Sequence, residues 1–292
     1  MADSKSATCI ADVKAVLGEG PVWVEREDAL YWVDIKGRRI FRRTFSGILT
    51  EWEPPFQIAS LAPRAEGGFV AGSEHGFAYV DLDTGSYDVL VDPERERTTN
   101  RFNDGKVDRR GCFWAGTMDD EEKAASGALY RLCSRLDPVR MDDGYRVTNG
   151  PAFSPDGRIM YHNDSARQLT YAFDVDGDGN ASNRRVFAQH QEGGGYPDGM
   201  TVDAEGGLWI AFWDGWCLRR FSPAGECVGT LEVPVQRPTS CAFGGPGLDR
   251  LFITSARIGL DEAALAEQPL AGGLFMAAPA GIGGLAEAMF VG

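Results

Sequence analysis

The sequence has few histidines and lacks the motifs of several large enzyme classes. Its three histidines, His75, His162 and His190, are scattered, and no H-E-x-x-H motif or His–carboxylate triad is visible. There is also no G-x-S-x-G nucleophile elbow and no phosphate-binding P-loop before a helix. These absences disfavour a serine hydrolase and a nucleotide-dependent enzyme.

Long apolar runs are absent as well. No stretch approaches the roughly 20 apolar residues that a membrane-spanning helix needs. The opening residues, MADSKSATCIADVK, contain no apolar segment of the kind that a signal peptide requires. We therefore expect a cytoplasmic protein that has no membrane partner.

Basic residues are in the minority. The chain has 29 Lys and Arg against 43 Asp and Glu, and its formal net charge is −14. A protein that binds phosphate backbones needs the opposite balance, at least locally. The one basic cluster, RRIFRR (38–43), is typical of a strand with outward charges. We therefore expect no nucleic-acid partner.

The six cysteines form no C-x-x-C pair and are widely spaced along the 292 residues. In a chain of this length they indicate neither a disulfide framework nor a zinc site. We expect most of them to be reduced, buried and inert.

An internal repeat is the main positive feature of the sequence. Six segments share an apolar run, a tight turn and an aromatic-rich run, which together are typical of a β-hairpin. The segments are GEGPVWVEREDALYWVDI (18–35), IASLAPRAEGGFVAGS (58–73), RFNDGKVDRRGCFWAGT (101–117), TNGPAFSPDGRIMYHNDS (148–165), YPDGMTVDAEGGLWIAFW (196–213) and PTSCAFGGPGLDRLFITSA (238–256).

The period of this repeat predicts the fold. Successive equivalent positions lie 41, 43, 46, 49 and 41 residues apart, and a further apolar run follows each hairpin. A period in the forties with about four strands per unit is typical of a β-propeller blade. We therefore predict an all-β, six-bladed propeller that forms one domain over residues 1–292. ATCIADVKAV (7–16) is expected to complete the last blade beside GLFMAAP (273–279), and DEAALAEQ (261–268) to form a short helix or a loop.

One position of the repeat always carries oxygen. In a propeller this position begins the innermost strand, so the six side chains are expected to converge near one end of the channel. They are Glu19, Ser60, Asn103, Asn149, Asp198 and Thr239. Asn-Gly and Asp-Gly are common turn formers, so a single such motif carries little weight. A ring of oxygen donors from separate repeats, however, suits a hard divalent cation, and we predict a central metal site.

The sequence resembles the family of senescence-marker-protein, gluconolactonase and regucalcin-like lactonases over essentially its full length. The matching segments are LGEGPVW (17–23), RFNDGKVD (101–108), AGTM (115–118), TNGPAFSPDG (148–157) and YPDGMTVDAEGGLW (196–209). The resemblance implies a six-bladed propeller with one divalent cation in its channel and the hydrolysis of a sugar lactone.

The resemblance also implies roles for individual residues. The metal ligands of the family match Glu19, Asn149 and Asp198, and Asp198 would also act as general base. The substrate-binding Arg and Asn of the family match Arg101 and Asn103. A further acidic substrate contact matches Asp120, with its neighbours Asp119, Glu121 and Glu122 as alternatives one register away. Trp213 and Trp216, in WDGW (213–216), are candidates for the wall of the substrate pocket.

Several alternatives stay open at this point. The same ion could serve hydrolysis of an aryl ester or a phosphotriester, or the protein could bind a divalent cation without turnover. A scaffold for protein partners would leave the channel residues chemically arbitrary, which they are not. Oxygen ligands accept calcium, magnesium, manganese, iron(II) or zinc, so the sequence does not identify the metal. It also leaves the preferred lactone and the oligomeric state open.

Overall fold

The computed structural model describes residues 6–292 and contains six four-stranded antiparallel sheets. Each sheet is one blade of a propeller, as the repeat predicts. The first three blades are formed by β2 (Gly18–Val24), β3 (Ala29–Asp34), β4 (Arg39–Thr44) and β5 (Leu49–Trp52); β6 (Ile58–Pro63), β7 (Phe69–Ser73), β8 (Gly76–Asp81) and β9 (Ser86–Val91); and β10 (Asn100–Val107), β11 (Phe113–Asp119), β12 (Gly127–Leu132) and β13 (Val139–Tyr145).

The other three blades follow the same order. They are formed by β14 (Thr148–Phe153), β15 (Ile159–Asp164), β16 (Leu169–Val175) and β17 (Ala181–Gln189); β18 (Tyr196–Val202), β19 (Leu208–Trp213), β20 (Cys217–Phe221) and β21 (Cys227–Glu232); and β22 (Pro238–Gly244), β23 (Arg250–Ser255), β24 (Leu274–Ala277) and β1 (Thr8–Ala11).

The N-terminal strand closes the ring. In the sixth blade the strand order is β22-β23-β24-β1, and Thr8 pairs with Met276 while Cys9 pairs with Phe275. The innermost strands contact one another in sequence from β2 through β6, β10, β14 and β18 to β22, which contacts β2. The predicted pairing of 7–16 with 273–279 is thus confirmed. Because the first and last parts of the chain share one sheet, opening the ring requires breaking that sheet.

A turn in two blades shows how the sequence repeat becomes structure. Both β10–β11 and β18–β19 are joined by an Asp-x-x-Gly-x-x-Trp sequence. The Asp108 carboxylate accepts backbone N–H groups of the turn and the indole N–H of Trp114 at 2.7 Å. Asp203 does the same for Trp209 at 2.9 Å. The turn glycines, Gly111 and Gly206, adopt positive φ. The two blades therefore share both the geometry of the turn and the position of the tryptophan.

The core lies between adjacent blades and is rich in aromatic side chains. Trp23 stacks on Phe252 of the sixth blade with ring centroids 5.7 Å apart. Trp32, Trp114 and Trp209 are also buried, so these tryptophans pack the blades. Truncating a buried tryptophan to alanine typically costs about 3–5 kcal/mol. These residues therefore stabilise the blades that position the channel.

The expectation for the cysteines is wrong for one pair. Cys112 and Cys133 form a disulfide with their Cα atoms 4.5 Å apart. The register explains the pairing, because Phe113 lies opposite Leu132 in the β11–β12 ladder and the cysteines are the next opposed positions. The spacing of the two cysteines along the chain does not indicate this pairing, which follows from the hairpin register. Of the free cysteines, Cys217 and Cys241 are buried as expected, Cys9 is half-buried and Cys227 is exposed.

Helical structure is confined to short segments. DEAALAEQ (261–268) contains α1 (Glu262–Glu267), whose first turn is capped by Asp261 through the backbone N–H of Ala264 at 2.8 Å. Two 3-10 turns, Glu25–Glu27 and Ser165–Arg167, follow β2 and β15. Within residues 6–292 no helix has the length and apolar character that crossing a bilayer requires.

Candidate active site

The inner strand of every blade contains an irregularity at the repeated oxygen-bearing position. The ladder between the first and second strands shifts register at Glu19–Val22, Ile58–Ser60, Phe102–Gly105, Asn149–Ala152, Pro197–Met200 and Pro238–Cys241. A β-bulge bends its strand and redirects side chains out of the regular alternation. The repeated position is therefore the point at which each inner strand can direct a polar side chain toward the channel.

Four of the six repeated side chains line one cavity. It has a volume of about 550 Å³, and Glu19, Asn103, Asn149 and Asp198 contribute to its wall. All four are buried, with at most 7% of their surface exposed. Arg101 and Asp120 line the same cavity. The structure thus brings together every residue that the sequence singled out as a ligand or a substrate contact.

The other two repeated side chains do not line this cavity. Thr239 is fully buried and donates a hydrogen bond to the carbonyl of Gly18 at 2.5 Å. Ser60 is also fully buried, and its hydroxyl has no hydrogen-bond partner within the described residues. The expectation that all six would converge is therefore too broad. Ser60 and Thr239 have short side chains, and the cavity wall is formed by the longer carboxylate and amide side chains at the other four positions.

A chain of hydrogen bonds connects the cavity residues of blades one, three and four. Lys36 Nζ donates to both carboxylate oxygens of Asp120 at 2.6 and 2.7 Å. Arg101 Nε donates to Asp120 Oδ1, and Arg101 Nη1 donates to Asn103 Oδ1 at 2.7 Å. Asn103 Nδ2 in turn donates to Asn149 Oδ1 at 3.1 Å. Because each donor is held by the next, this network orients both Arg101 and Asn149.

The acidic residues around Asp120 have different environments. Asp119 Oδ2 accepts hydrogen bonds from the backbone N–H groups of Lys123 and Ala124, so it shapes the turn. Glu121 pairs with Lys123 on the surface. Asp120 and Glu122 both line the cavity. The structure thus favours Asp120 over its direct neighbours, and it adds Glu122, two residues further on, to the wall.

Three carboxylates, Glu19, Asp104 and Asp198, form a buried group that we call the carboxylate cluster. Burial and the charge of Asp104 raise the pKa of Glu19 to about 8. Burial raises the pKa of Asp104 to about 6, although the N–H of Gly150 opposes it. Burial and the charges of Glu19 and Asp104 raise the pKa of Asp198 well above its usual range. Burial thus explains the direction of all three shifts, and like charges add to it for Glu19 and Asp198.

The residues of this group fit a divalent cation. None of the three carboxylates forms an ion pair with a basic side chain in residues 6–292, and the charges of Arg101 and Lys106 offset the raised pKa values of Glu19 and Asp104 only in part. Oxygen donors of this type suit hard cations. Within the same residues no group of three or more His, Cys, Asp or Glu side chains is placed to hold a metal. A cation here would therefore need the Asn149 amide oxygen as its third protein donor, beside Glu19 and Asp198.

Several residues in or beside the cavity wall are not predicted from the sequence. Asp104 accepts the backbone N–H of Gly150 at 2.8 Å and so fixes the strand just after Asn149. Its position next to Asn103 is the only signal in the sequence. Lys36, Arg146 and Arg237 also line the cavity, but they lie outside the six repeated positions. A pattern search restricted to those positions cannot find them.

The tryptophans of WDGW have separate environments. Trp213 lines the cavity, and the guanidinium of Arg237 lies over its ring at 4.7 Å. Trp216 is exposed at 44% and is not part of the cavity wall. The prediction that both wall the pocket is thus right for Trp213 and wrong for Trp216.

The geometry places buried carboxylates beside hydrogen-bond donors in a cavity large enough for a sugar-sized molecule. Residues 17–257 match the family described as the SMP-30/Gluconolactonase/LRE-like region. The chain belongs to this family. Other members of the SMP-30/gluconolactonase/LRE-like family match over nearly the full length. Regucalcin of Danio rerio is 37% identical over 289 residues, which are 97% of this chain and 98% of the relative.

Two further similarities come from an enzyme and a solved structure of the same family. L-arabinolactonase of Azospirillum brasilense is 38% identical over 291 residues, covering 98% of this chain and 96% of the relative. The structure of a calcium-binding protein, regucalcin, from Agrobacterium tumefaciens has a TM-score of 0.93 and 27% identity, covering 98% of this chain and 97% of that one. The predicted family and the predicted propeller fold are confirmed.

Proposed function

We propose that this sugar-lactone hydrolase opens an aldonolactone to the aldonic acid with the help of one divalent cation held by Glu19, Asn149 and Asp198. The carboxylate cluster carries the proposal, because it is buried, forms no ion pair with a basic side chain in the described residues, and opens to the cavity through Glu19 and Asp198. A divalent cation bound there supplies Lewis acidity to the ester carbonyl and neutralises the buried charge. The lactonase activity of the A. brasilense relative supports the reaction class.

Asp198 is the proposed general base. Its carboxylate is buried and lines the cavity, so it faces the space in which the lactone and its attacking water would lie. Ester hydrolysis requires a water molecule that loses a proton as it attacks the carbonyl carbon. In our proposal Asp198 accepts that proton and then returns it to the ring oxygen as the C–O bond breaks.

Arg101 is the proposed positioning group for the substrate, and Asn103 supports it and the proposed ligand Asn149. Arg101 Nε and Nη1 are committed to Asp120, to the carbonyl of Phe102 and to Asn103. Its Nη2 donates to no described residue, so it remains available for a sugar hydroxyl or for the oxyanion. Asn103 donates to Asn149 and to the carbonyl of Thr148, so it contributes chiefly by holding Asn149.

Acid release from a panel of neutral aldonolactones tests the proposal. Asp198→Asn preserves the shape of the side chain, and loss of a general base typically lowers turnover by about 10²–10⁴-fold. Asp83→Asn, on an exposed loop, makes the same change of charge outside the cavity and is the matched control. Full turnover in the Asp198→Asn variant would rule out the assigned base. The thermal midpoint of that variant without cation should equal or exceed the wild-type value, because one of three mutually repelling carboxylates is lost.

A second candidate is a divalent-cation-binding protein that has no turnover of its own. The description of the A. tumefaciens structure as a calcium-binding protein favours it. This candidate predicts tight calcium binding by calorimetry together with acid release at the spontaneous rate. The substrate panel should also contain phosphotriesters and aryl esters, because their hydrolysis would depend on the same Lewis acidity of the cation.

A further inference from the structure

The cavity wall outside the carboxylate cluster is basic. Four cationic side chains line the cavity, and apart from Glu19 and Asp198 only two carboxylates, Asp120 and Glu122, face them. The cationic side chains are Lys36, Arg101, Arg146 and Arg237. The whole chain carries a net charge of −14. The four cations equal the four carboxylates of the wall in number, so a cationic surplus arises once the proposed divalent cation compensates Glu19 and Asp198. Such a surplus inside a strongly acidic protein attracts anions to this cavity.

Three of the four cations already have carboxylate partners. Asp120 lies between Lys36 and Arg101 and accepts hydrogen bonds from both. Arg237 donates from Nε to Asp214 Oδ1 at 2.6 Å. These pairs reduce the charge that a ligand would meet at their positions. Arg146 is therefore the cation whose charge is most available to a ligand.

Arg146 has no carboxylate partner. Its Nε donates to the backbone carbonyl of Glu122 at 2.6 Å, while Nη1 and Nη2 donate to no described residue. The carboxylate of Glu122 forms no ion pair with it, nor does any other carboxylate between residues 6 and 292. The free edge of the guanidinium thus consists of two nitrogens that can donate in parallel. That arrangement matches two oxygens of one oxyanion.

The backbone around Arg146 is held firmly. The residue lies in the bend between β13 and β14, directly after the fully buried Tyr145. The carbonyl of Val147 accepts the backbone N–H of Ser165 at 3.0 Å. Ser165 Oγ accepts a hydrogen bond from Asn149 Nδ2 at 2.9 Å and also lines the cavity. The backbone of the bend is therefore fixed to the strand that carries Asn149, while the exposed Arg146 side chain is held by the one hydrogen bond from its Nε.

We propose that the preferred substrate is a sugar lactone with a second, anionic group, and that Arg146 binds this group through Nη1 and Nη2. The shared chemistry is an oxyanion with two coplanar acceptor oxygens, as in a carboxylate, a sulfonate or a phosphate. A neutral aldonolactone offers only hydroxyls to this edge. This inference rests on the proposed lactonase function and adds the substrate class.

Two lactones with the same ring test the proposal. One is a neutral aldonolactone, and the other is the monolactone of an aldaric acid, which carries a carboxylate at its far end. Wild-type protein should have a KM for the anionic lactone about tenfold lower, because a charge-assisted pair is worth at least one factor of ten. Arg146→Gln should remove this preference while changing kcat/KM for the neutral lactone much less. Arg146→Lys should restore part of it, since lysine keeps the charge but not the paired donors.

Arg140→Gln is the matched control. Arg140 lies on β13 of the same region and pairs with Asp143 outside the cavity, so its loss should change neither KM. Equal effects of Arg146→Gln on both lactones, or no preference in the wild type, would overturn the inference and leave the lactonase proposal intact. Sulfonated and phosphorylated lactones of the same ring then identify which oxyanion is preferred.

A binding measurement separates the two proposals if neither lactone is hydrolysed. That result would defeat the lactonase function, but calorimetry with the open-chain aldarate and aldonate still tests Arg146. The inference expects tighter binding of the doubly charged aldarate and loss of that difference in Arg146→Gln. Equal binding of the two acids by wild-type protein would contradict it.

Discussion

The side-chain amide of Asn103 donates a hydrogen bond to Asn149 Oδ1 at 3.1 Å, although 46 residues separate them in the chain. The bond joins the inner strands of the third and fourth blades at equivalent positions of the repeat. Asn149 Nδ2 is held on its other side by Ser165 Oγ at 2.9 Å. The amide plane of the proposed ligand is therefore fixed before any cation binds.

Replacing Asn103 should weaken cation binding without removing a ligand. Partners that orient a metal ligand typically contribute about 10–100-fold to metal affinity. We therefore expect Asn103→Ala to raise the calcium dissociation constant within that range, as measured by calorimetry on chelator-treated protein. Asn180→Ala, in the exposed β16–β17 loop, is the control and should leave the constant unchanged. Unaltered affinity in Asn103→Ala would show that this bond does not preorganise the site.

Removing Lys36 should shift the pH dependence of the reaction. Burial alone would raise the pKa of Asp120, but the hydrogen bond from Lys36 and the charge of Arg101 outweigh it and lower the pKa. In Lys36→Met the pKa of Asp120 should rise, so the acid limb of kcat/KM should move to higher pH. Lys123→Met, on the exposed turn nearby, loses the same charge without touching Asp120. An acid limb that stays in place would exclude Asp120 from substrate binding in its ionised form.

His162 should make the fold sensitive to acid. The ring is fully buried against Tyr145, and neither of its nitrogens has a hydrogen-bond partner in the part of the chain that the structure describes. Burial, assisted by the charge of Arg184, lowers its pKa from 6.5 to about 3. The unfolded chain thus takes up a proton at a higher pH than the folded protein. The contribution of neutral His162 to the free energy of unfolding is fully present above about pH 6.5 and is lost as the pH falls toward 3.

Denaturant unfolding at pH 6 and pH 5 measures this effect. The free energy of unfolding of His162→Phe should fall less between these two pH values than that of the wild type, by roughly 1 kcal/mol. His75→Phe removes an exposed histidine and should behave as the wild type does. If both variants lose stability with the wild-type pH dependence, protonation of His162 does not destabilise the fold.

The sequence predicts the fold well because the repeat is a local signal. Each hairpin carries its own turn residues, and six copies in register fix both the number of blades and the residues that begin each inner strand. Even the closing strand could be placed, since a propeller needs a partner for β24. The pairing of Cys112 with Cys133 could not, because it depends on the register of one ladder.

The sequence points to cavity residues where they belong to the repeat, as Glu19 does, or to a matching family segment, as Arg101 does, and the resemblance also implies Asp120. Glu19, Asn149 and Asp198 are predictable because each occupies the repeated position of its blade, and the family resemblance selects these three of the six as ligands. Lys36 and Arg146 lie in connections between strands, which carry no periodic signal. Their positions at the cavity depend on how neighbouring blades pack, and that information is non-local.

The central claim is that a divalent cation is required for lactone hydrolysis at the carboxylate cluster. The most direct measurement is acid release from aldonolactones by chelator-stripped protein, with calcium, magnesium, manganese, zinc or iron(II) restored singly and spontaneous ring opening subtracted. Our account predicts turnover at the spontaneous rate in stripped protein and recovery with at least one ion, but no recovery in Asp198→Asn. Full turnover in the stripped protein would contradict it.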